Sequence, residues 1–522
     1  MANTISCRYL AALIASNSLY AVLDVRERGE YNAGHISPAT SLPRSQIEFR
    51  IRALLPNLKI PLIVYDDGGK RAALAAATMG ELGYANISVL EGGLPAWTEI
   101  SYSTVTGVNV LSKAFGEKIH HERKIPEILP ADLKRLQDNG ADLMILDVRT
   151  PEEYRRFCVP GGINIPGGDL ILWADHLRHK PGTTVVINCA GRTRSIIGTA
   201  ALNRMGLSNV YALRNGTMGW VLAGLELESK PSRAEQQAPA ESRDKAADFA
   251  LRLSEEEEIP QISVRDLDRI LAEESTGVTY LVDVRSEGEY DSGHIRGSLS
   301  IPGGQAVQRA DDFIAVRNGK IIFVSDQSAR AVMAAYWYQQ MGYRDVSILQ
   351  GGLRAWSGSG KPLARGTEGP EPLGFDLAKR SARLKTPAEI QKRLQHSGVT
   401  VLDVGGSVDF NTNHLPDARW ISRGWLEQKL PLHVSDRNEP FILSCSDGKN
   451  SVLAARTLAE MGYWNVDVLD GGVRAWMGRG YSTDTGLAGC LMEPDDVVLS
   501  PSVTGDREQM ERYLEWEIKL KG

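Results

Sequence analysis

Cysteine is scarce in this chain, and no stretch of it is both long and apolar. Five cysteines in 522 residues, none of them in CxxC spacing, suggest neither a disulfide framework nor a zinc site and favour a reducing compartment. No apolar run reaches the roughly 18 residues that a membrane helix needs. The net charge is -6 and there is no basic tract, which argues against a nucleic-acid partner. We therefore expect a cytoplasmic protein that binds neither nucleic acid nor membrane.

A fourfold internal repeat organises the chain. In each copy an Asp is followed 42 positions later by a landmark residue and 73 positions later by a Trp. The Asp and Trp residues are Asp24 and Trp97, Asp147 and Trp220, Asp283 and Trp356, and Asp403 and Trp476. The landmark residues are Asp66, Cys189, Ser325 and Cys445. One fold is thus repeated four times, whereas the residue at the landmark position changes.

The hydrophobic pattern within each copy predicts the fold class. Continuous apolar runs predict buried strands, and apolar residues spaced three and four apart predict amphipathic helices. The predicted strands cover residues 21–25, 62–65 and 87–90; 143–148, 184–188 and 210–213; 280–284, 321–324 and 346–349; and 399–404, 441–444 and 466–469. Because strands and helices alternate, we expect an α/β protein of four tandem small doubly wound domains with parallel central sheets. Ligands of such sheets bind beyond the carboxyl ends of the strands.

The repeat also gives the predicted domain bounds. Domain 1 covers residues 1–106, domain 2 residues 122–230, domain 3 residues 259–365 and domain 4 residues 382–485. Residues 231–258 are polar with few bulky apolar side chains and are predicted to be a solvated linker. The tail, residues 486–522, ends in a charged helical pattern that predicts a docking helix rather than a site.

The landmark loop of domain 2 carries the strongest chemical signal. Residues 189–194 read Cys-Ala-Gly-Arg-Thr-Arg, and a predicted helix follows from Ser195. A Cys between a strand end and a helix N-terminus faces unpaired backbone N–H groups, which favour the thiolate. Arg192 and Arg194 add positive charge, so we expect the Cys189 thiol to ionise near or below neutral pH. The loop is suited to attract an anion and attack it.

The sequence resembles the rhodanese superfamily of sulfurtransferases. The resemblance rests on Asp-Val-Arg followed by Glu, Tyr and Gly-His-Ile in domains 1 and 3, on the domain 2 loop, and on the Gly-Gly-Leu-x-Ala-Trp motif that ends domains 1 and 3. It extends over all four copies. In that superfamily the loop Cys takes a sulfane sulfur from a donor such as thiosulfate, holds it as a persulfide and passes it to cyanide or a thiol, including a protein thiol. No metal and no organic cofactor are required.

The resemblance also implies roles for individual residues. Cys189 becomes the nucleophile, Arg194 and the loop amides bind the anionic donor and stabilise the persulfide, and Arg192 is an extra contact for the sulfonate end of the donor. The predicted donor-binding residues are Ala190, Gly191, Arg192, Thr193 and Ser195. Asp147 and Arg149 fall where the family keeps a structural ion pair, and we assign them to support of the fold and the loop.

Two other function classes stay open. Related phosphatases and arsenate reductases use a loop of seven residues, whereas residues 189–194 number six, the length associated with sulfur. An oxyanion-transfer enzyme is therefore the weaker interpretation. A non-catalytic scaffold or carrier that docks sulfur-transfer partners would fit the same cationic loop.

The remaining loops depart from the domain 2 pattern. At 47 positions after the Asp stand Arg71, Arg194, Arg330 and Asn450, so only domain 2 combines Cys with Arg. Domains 1 and 3 are predicted to be inactive in sulfur transfer. Cys445 of domain 4 is either a weaker centre, or a relay from Cys189, or the remnant of a decayed loop.

Several other residues receive structural interpretations. His35, His294 and His414 share a position 11 after the Asp, in three separate domains, and are expected to make structural hydrogen bonds rather than bind metal. Cys158 takes that position in domain 2. It could resolve a persulfide on Cys189 if the two come within disulfide reach, but an ordinary buried cysteine is the favoured interpretation.

Overall fold

The chain is divided into two compact units that do not follow the order of the repeats. The computed structural model describes residues 3–233, 236–272, 277–326, 328–366, 371–396 and 398–520. One unit joins residues 1–108 to residues 369–498, and the other joins residues 109–368 to residues 499–522. Domains 1 and 4 therefore share one unit, and domains 2 and 3 share the other with the end of the tail.

Domain 2 is built on a parallel sheet flanked by helices. Its strands in spatial order are Glu127–Ile128, Val210–Leu213, Thr184–Asn188, Leu143–Asp147 and Ile163–Asn164. The helices are Pro130–Asp138, Pro151–Arg156, Gly167–Asp169, Leu170–Arg178, Thr193–Arg204 and Gly216–Leu222. Phe157–Cys158 and Glu228–Ser229 form a separate antiparallel pair.

The same strand order recurs in the other three domains. Domain 1 has Asn3–Ile5, Ile87–Leu90, Leu62–Tyr65, Tyr20–Asp24 and Thr40–Ser41. Domain 3 has Gln261–Ile262, Val346–Leu349, Lys320–Val324, Thr279–Asp283 and Leu299–Ser300. Domain 4 has Arg383–Lys385, Val466–Leu469, Phe441–Ser444, Thr400–Asp403 and Arg419–Trp420. The predicted α/β fold with parallel sheets is confirmed, with shifts of one residue at some strand ends.

Helices connect these strands and also link the domains. Domain 1 has Cys7–Ile14, Arg28–Ala33, Arg44–Gln46, Ile47–Leu54, Arg71–Glu81 and Gly93–Glu99. Domain 3 has Val264–Ala272, Glu287–Ser292, Gly303–Gln308, Ala310–Phe313, Ala329–Gln340 and Gly352–Gly358, with a short strand Val316–Arg317. Domain 4 has Pro387–Leu394, Ser407–Thr412, Arg423–Trp425, Leu426–His433, Lys449–Glu460 and Gly472–Gly478. Outside the repeats lie Val110–Glu122, Ala240–Glu256, Phe375–Ser381, Pro501–Thr504 and Arg507–Lys519. No helix in the described part of the chain is long and apolar enough to cross a membrane.

The repeat Trp residues are core residues in every domain. All four are buried, and each indole N–H donates to a backbone carbonyl six residues further along. The donor and acceptor residues are Trp97 and Ser103, Trp220 and Glu226, Trp356 and Pro362, and Trp476 and Ser482. A buried indole N–H needs such a hydrogen-bond partner. The Trp therefore anchors the segment that follows it to the core of its domain.

The prediction of a solvated linker over residues 231–258 is wrong for most of that range. Ala240–Glu256 is a helix that packs against helices Leu170–Arg178 and Ala329–Gln340. Ala246, Ala250 and Leu253 lie along one face of it and are each 1% exposed. Small residues at helical spacing make an apolar stripe that the polar composition hides.

Equivalent short segments form contacts between the two domains of each unit. They begin 20 positions after the repeat Asp, at Gly167 and Gly303 in one unit and at Arg44 and Arg423 in the other. A Cβ added to Gly168 would lie 2.9 Å from the Gly303 Cα, so these two backbones touch. In the other unit, Arg44 pairs with Glu427 at 2.7 Å and Arg423 pairs with Glu48 at 2.5 Å. Domain 2 therefore contacts domain 3 through glycine backbones and an ion pair between Asp169 and Arg330 at 3.0 Å, and domain 1 contacts domain 4 through ion pairs.

Candidate active site

The loop of residues 189–194 lies where the sequence predicts it, between strand Thr184–Asn188 and helix Thr193–Arg204. Gly216 supports it from below: its φ is +55°, and a Cβ there would lie 2.2 Å from the Cys189 carbonyl oxygen. That carbonyl accepts a hydrogen bond from the Thr217 backbone N–H at 2.8 Å. The Cys189 side chain is buried, and its thiol donates to Ser195 Oγ at 3.5 Å. The predicted loop residues are therefore brought together around one sulfur.

Backbone N–H groups of the following helix face the landmark position in the sister loops. In each case the amide six residues after the landmark residue donates to its side chain. The pairs are Ala72 with Asp66 (3.0 Å), Ala331 with Ser325 (3.3 Å) and Ser451 with Cys445 (3.4 Å). The loop geometry thus presents hydrogen-bond donors to a negative atom at this point, as a helix N-terminus does.

Arg194 is held beside Cys189 by a carboxylate on another helix. Its Nη1 and Nη2 donate to the two Glu153 oxygens at 2.7 and 2.8 Å. Glu153 also accepts from the Thr150 N–H and hydroxyl in a capping box. Burial alone would raise the pKa of Glu153, but Arg194 and the Thr150 amide lower it to about 2. The carboxylate is therefore charged near neutral pH and fixes the guanidinium, whose charge acts on the Cys189 thiol.

Arg192 has protein partners that the sequence did not reveal. Its Nε donates to Glu117 at 2.6 Å, and its Nη1 lies 3.3 Å from Glu127 and 3.2 Å from Asn215. Glu117 is 1% exposed and belongs to helix Val110–Glu122, which precedes domain 2. These bonds engage Nε, Nη1 and Nη2 of the guanidinium, so its evident role is to tie the loop to that helix.

The pKa expected for the Cys189 thiol differs from the one the fold produces. The sequence predicts a lowered value, whereas burial raises the pKa of this thiol above its ordinary range. Arg194 and hydrogen bonding between Cys189 and Ser195 act in the opposite direction, and Glu517 of the helix Arg507–Lys519 adds to the rise. Desolvation of the thiolate therefore outweighs the nearby positive groups in this closed arrangement.

The family follows from a comparison with family models. A model described as a rhodanese-like domain matches residues 6–100, 129–223, 263–359 and 386–479. The chain belongs to the rhodanese family. The crystal structure of a thiosulfate sulfurtransferase from Pseudomonas aeruginosa is similar over 99% of this chain and 97% of that one, with 34% identity and a TM-score of 0.92.

Shorter relatives match parts of this rhodanese. The protein SseB of Mycobacterium tuberculosis is 28% identical over 206 residues, which cover 32% of this chain and 71% of SseB. Human 3-mercaptopyruvate sulfurtransferase is 25% identical over 186 residues, which cover 31% of this chain and 62% of the human protein.

Two of the rhodanese loops contain no thiol at the landmark position. Asp66 of domain 1 accepts hydrogen bonds from Gly68 N at 2.8 Å and Ala72 N at 3.0 Å, so a carboxylate already satisfies the loop amides. Ser325 of domain 3 places a hydroxyl there. Neither side chain can take up a sulfane sulfur, and the inactivity of these domains stays a prediction.

The loop of domain 4 keeps its cysteine but loses the supporting charges. Cys445 Sγ lies 3.5 Å from Ser451 Oγ and 3.9 Å from Asp447 Oδ1. Burial raises the pKa of Cys445 to about 11, hydrogen bonds from Ser451 oppose the rise, and Asp403 and Asp447 add to it. The roles of weak centre, relay or remnant stay predictions.

Sequence reasoning missed Glu153, although a signal for it exists. Six positions after the repeat Asp stand Glu30, Glu153, Glu289 and Asp409. In domains 1 to 3 this Glu pairs with the Arg that begins or lies near the start of the loop helix. Domain 4 replaces both partners at once, with Asp409 and Asn450. Such paired replacement marks two residues that contact each other.

The other predicted supporting residues have the expected contacts. Asp147 and Arg149 form a buried ion pair with Nη2–Oδ2 at 2.7 Å, and Arg149 also donates to the Phe157 carbonyl at 2.5 Å. The Nδ1 atoms of the three repeat histidines hydrogen-bond to backbone carbonyls at 2.7 to 3.0 Å, as predicted: His35 to Tyr31, His294 to Tyr290 and His414 to Phe410. Within the described residues, no group of His, Cys, Asp and Glu side chains is arranged to hold a metal ion.

Cys158 lies in a different setting from Cys189. Its sulfur is 3.2 Å from Arg233 Nη2 and 3.8 Å from Glu228 Oε2, and the residue is fully buried. Burial and Glu228 raise the pKa of Cys158 to about 11, against the effect of Arg233. All five cysteines, each within the described residues, are free thiols. A structural role for Cys158 remains the favoured interpretation.

Domain 4 contains a buried carboxyl that has lost its arginine. Asp403 accepts from Ser444 Oγ at 2.8 Å and from Gly405 N at 2.9 Å, where the other domains supply an Arg two residues after the Asp. Burial raises the pKa of Asp403 to about 7. A buried acid with a raised pKa holds its proton in the folded state, so stability falls as pH rises from about 4 to about 7 and then stays level.

We expect Asp403→Asn to stabilise the protein at pH 8 and to have little effect near pH 4. The rise in pKa from 3.8 corresponds to an upper limit of about 4 kcal/mol at pH 8, because each pKa unit is worth roughly 1.4 kcal/mol. Calorimetric unfolding at the two pH values measures the difference. The matched control is Asp283→Asn in domain 3, where Asp283 pairs with Arg285 at 2.7 Å. That variant should destabilise at pH 8 by about 3 kcal/mol, since a buried guanidinium loses its partner. Destabilisation by both variants would contradict the assignment.

Proposed function

We propose that this rhodanese is a sulfurtransferase that moves a sulfane sulfur from thiosulfate or a similar small anionic donor to a thiophilic acceptor through a Cys189 persulfide. The observation that carries the proposal is the position of Cys189, which lies at the start of helix Thr193–Arg204 beside a guanidinium locked by Glu153. The charge of Arg194 opposes the effect of burial on Cys189 and favours a negative sulfur, which both the thiolate and the persulfide require.

The reaction proceeds by double displacement without a metal or an organic cofactor. The Cys189 thiolate attacks the outer sulfur of thiosulfate, an S–S bond to the enzyme forms, the S–S bond of the donor breaks, and sulfite leaves with the electron pair. The acceptor, cyanide or a thiolate, then attacks the terminal sulfur, and the Cys189 thiolate departs. In each step one anion enters and one anion leaves, so charge is conserved. Residue 189 carries a negative sulfur throughout, first as the thiolate and then as the persulfide anion.

The relatives support this choice of chemistry. The similar P. aeruginosa structure, which matches nearly the whole chain, is of a thiosulfate sulfurtransferase, and the human relative is a 3-mercaptopyruvate sulfurtransferase. Both names describe transfer of sulfur from a small anionic donor. The choice among donors, the acceptor and a cytoplasmic location stay predictions.

Mass spectrometry of the thiosulfate-treated protein tests the proposal. After incubation and rapid proteolysis, we expect the Cys189 peptide to gain the mass of one sulfur atom, and cyanide to remove it with formation of thiocyanate. The Cys445 peptide in the same digest reports whether domain 4 carries sulfur. A Cys189 peptide of unchanged mass would contradict the enzyme and favour the docking scaffold or carrier.

A further inference from the structure

The C-terminal helix packs against domain 2 beside the active-site loop. Met510 and Leu514 form an apolar cluster with Met218, which lies on the helix directly under the loop. Arg507 donates to the carbonyls of Val221 and Leu222 at 2.7 and 2.9 Å. Helix Arg507–Lys519 thus packs on domain 2.

This docking brings a carboxylate onto the loop. Glu517 is 1% exposed, and its Oε1 accepts from the Thr193 hydroxyl at 2.5 Å and from the Thr193 N–H at 3.4 Å. Its Oε2 has no hydrogen-bond partner among the described residues. A Cβ added to Gly191 would lie 3.2 Å from this Oε2 and 3.6 Å from Tyr513 Cε1. The carboxylate therefore uses a loop amide that the proposed function assigns to the anionic donor.

The charged groups around Glu517 come from several elements. Lys113 of helix Val110–Glu122 lies 4.9 Å from the Tyr513 ring and 4.7 Å from the Trp516 ring. Burial raises the pKa of Glu517, and the negative charge of Glu117 adds to the rise. The positive charges of Lys113 and Arg192 and the hydrogen bond from Thr193 lower it. Two further titratable groups interact with Glu517: Cys189 on the loop and Tyr513 on the same helix as Glu517. The negative charge of Glu517 raises the pKa of both. Arg192, one of the positive groups that act on Glu517, is also paired with Glu117. The site as a whole is therefore less cationic than the loop sequence indicates.

We propose that Glu517 is a specificity-determining residue of the Cys189 site, which disfavours dianionic donors relative to donors of lower charge because its carboxylate occupies the loop at Thr193. The inference rests on the proposed function in naming the donor. Thiosulfate, a dianion, must compete with this carboxylate for the same amide, whereas a persulfide without a second negative group does not. Among sulfane-sulfur donors, the site therefore favours those of lower charge, such as a small persulfide, over the dianion thiosulfate.

Paired alkylating reagents test the inference without relying on sulfur transfer. Iodoacetate and iodoacetamide have similar size, but only iodoacetate carries a negative charge. In Glu517→Gln, whose amide oxygen can still accept from Thr193, we expect the ratio of the iodoacetate rate to the iodoacetamide rate at Cys189 to rise by about tenfold, because a like charge near the sulfur is removed. Glu515→Gln is the matched control, since Glu515 is exposed on the same helix and its loss should leave the ratio unchanged.

The outcomes separate an electrostatic role from a structural one. If Glu517 only held the helix in place, both reagents would react faster by the same factor and the ratio would stay constant, which would overturn the inference. An unchanged ratio with unchanged rates would overturn it as well. The KM for thiosulfate in Glu517→Gln should fall about tenfold, with a much smaller change in kcat. A raised ratio in a protein that forms no persulfide would contradict the proposed function but not the charge discrimination.

Discussion

Replacement of Cys189 by serine is expected to abolish persulfide formation and to lower thiosulfate-to-cyanide turnover by about a thousandfold or more. A serine hydroxyl is hardly ionised near neutral pH and cannot carry a sulfane sulfur. The loop should tolerate the change, because domain 3 already holds Ser325 at this position with its hydroxyl bonded to the Ala331 amide at 3.3 Å. Thiocyanate formation measures turnover, and the mass of the peptide that contains residue 189 measures the adduct.

Cys445→Ser is the matched control for this prediction. The thiol of Cys445 faces Asp447 and lacks an arginine, so we expect this variant to keep most of the turnover. Comparable losses in the two variants would make Cys445 an obligatory relay. Normal turnover in Cys189→Ser would refute the assignment of the nucleophile.

Arg194→Gln is expected to lower turnover by about a hundredfold, the effect of removing one group that stabilises a developing negative charge. Arg194 stands five residues after Cys189, and its charge opposes the rise in the pKa of Cys189 that burial causes. The loss should therefore appear in persulfide formation, measured by rapid mixing with thiosulfate, rather than in the release of thiocyanate.

The chain supplies a control that separates charge from folding. Arg71 of domain 1 makes the same bidentate pair, with Glu30, at 2.5 and 2.7 Å, in a domain without a thiol at its landmark position. Arg71→Gln should cost similar stability and leave turnover unchanged. A turnover loss in Arg194→Gln no larger than that in Arg71→Gln would show that Arg194 only supports the fold.

Much of the architecture could be predicted from local pattern. The strands 62–65, 184–188 and 441–444 and the third strand of every repeat match the structure, because buried parallel strands are continuous apolar runs bounded by polar loops. The helix Ala240–Glu256 was missed because its buried residues are two alanines, two serines and one leucine, which composition does not distinguish from a solvated segment. Glu153 was missed although the paired change at Asp409 and Asn450 points to it.

The direction of the Cys189 pKa shows where sequence reasoning fails on electrostatics. The loop sequence displays two arginines, but Arg192 is neutralised by Glu117 from outside the domain and Arg194 by Glu153. Burial then outweighs what positive charge remains. Neither the partner of a charged group nor its exposure to water can be read from the residues next to it.

The sequence by itself determined four copies of one α/β fold, the strand end and helix start that flank residue 189, and the presence of a thiol with an arginine in one copy alone. Only the tertiary structure decided that domain 1 pairs with domain 4, that domain 2 pairs with domain 3, and that a helix more than 300 residues away in the chain brings Glu517 to the loop at Thr193. The local periodicity of a segment indicates which face it buries within its own domain. Because the four domains repeat the same apolar pattern, they also repeat the same buried faces. Contacts between distant segments depend on the match of two surfaces, and closing a long loop costs little more entropy than closing a short one, so separation along the chain does not predict them.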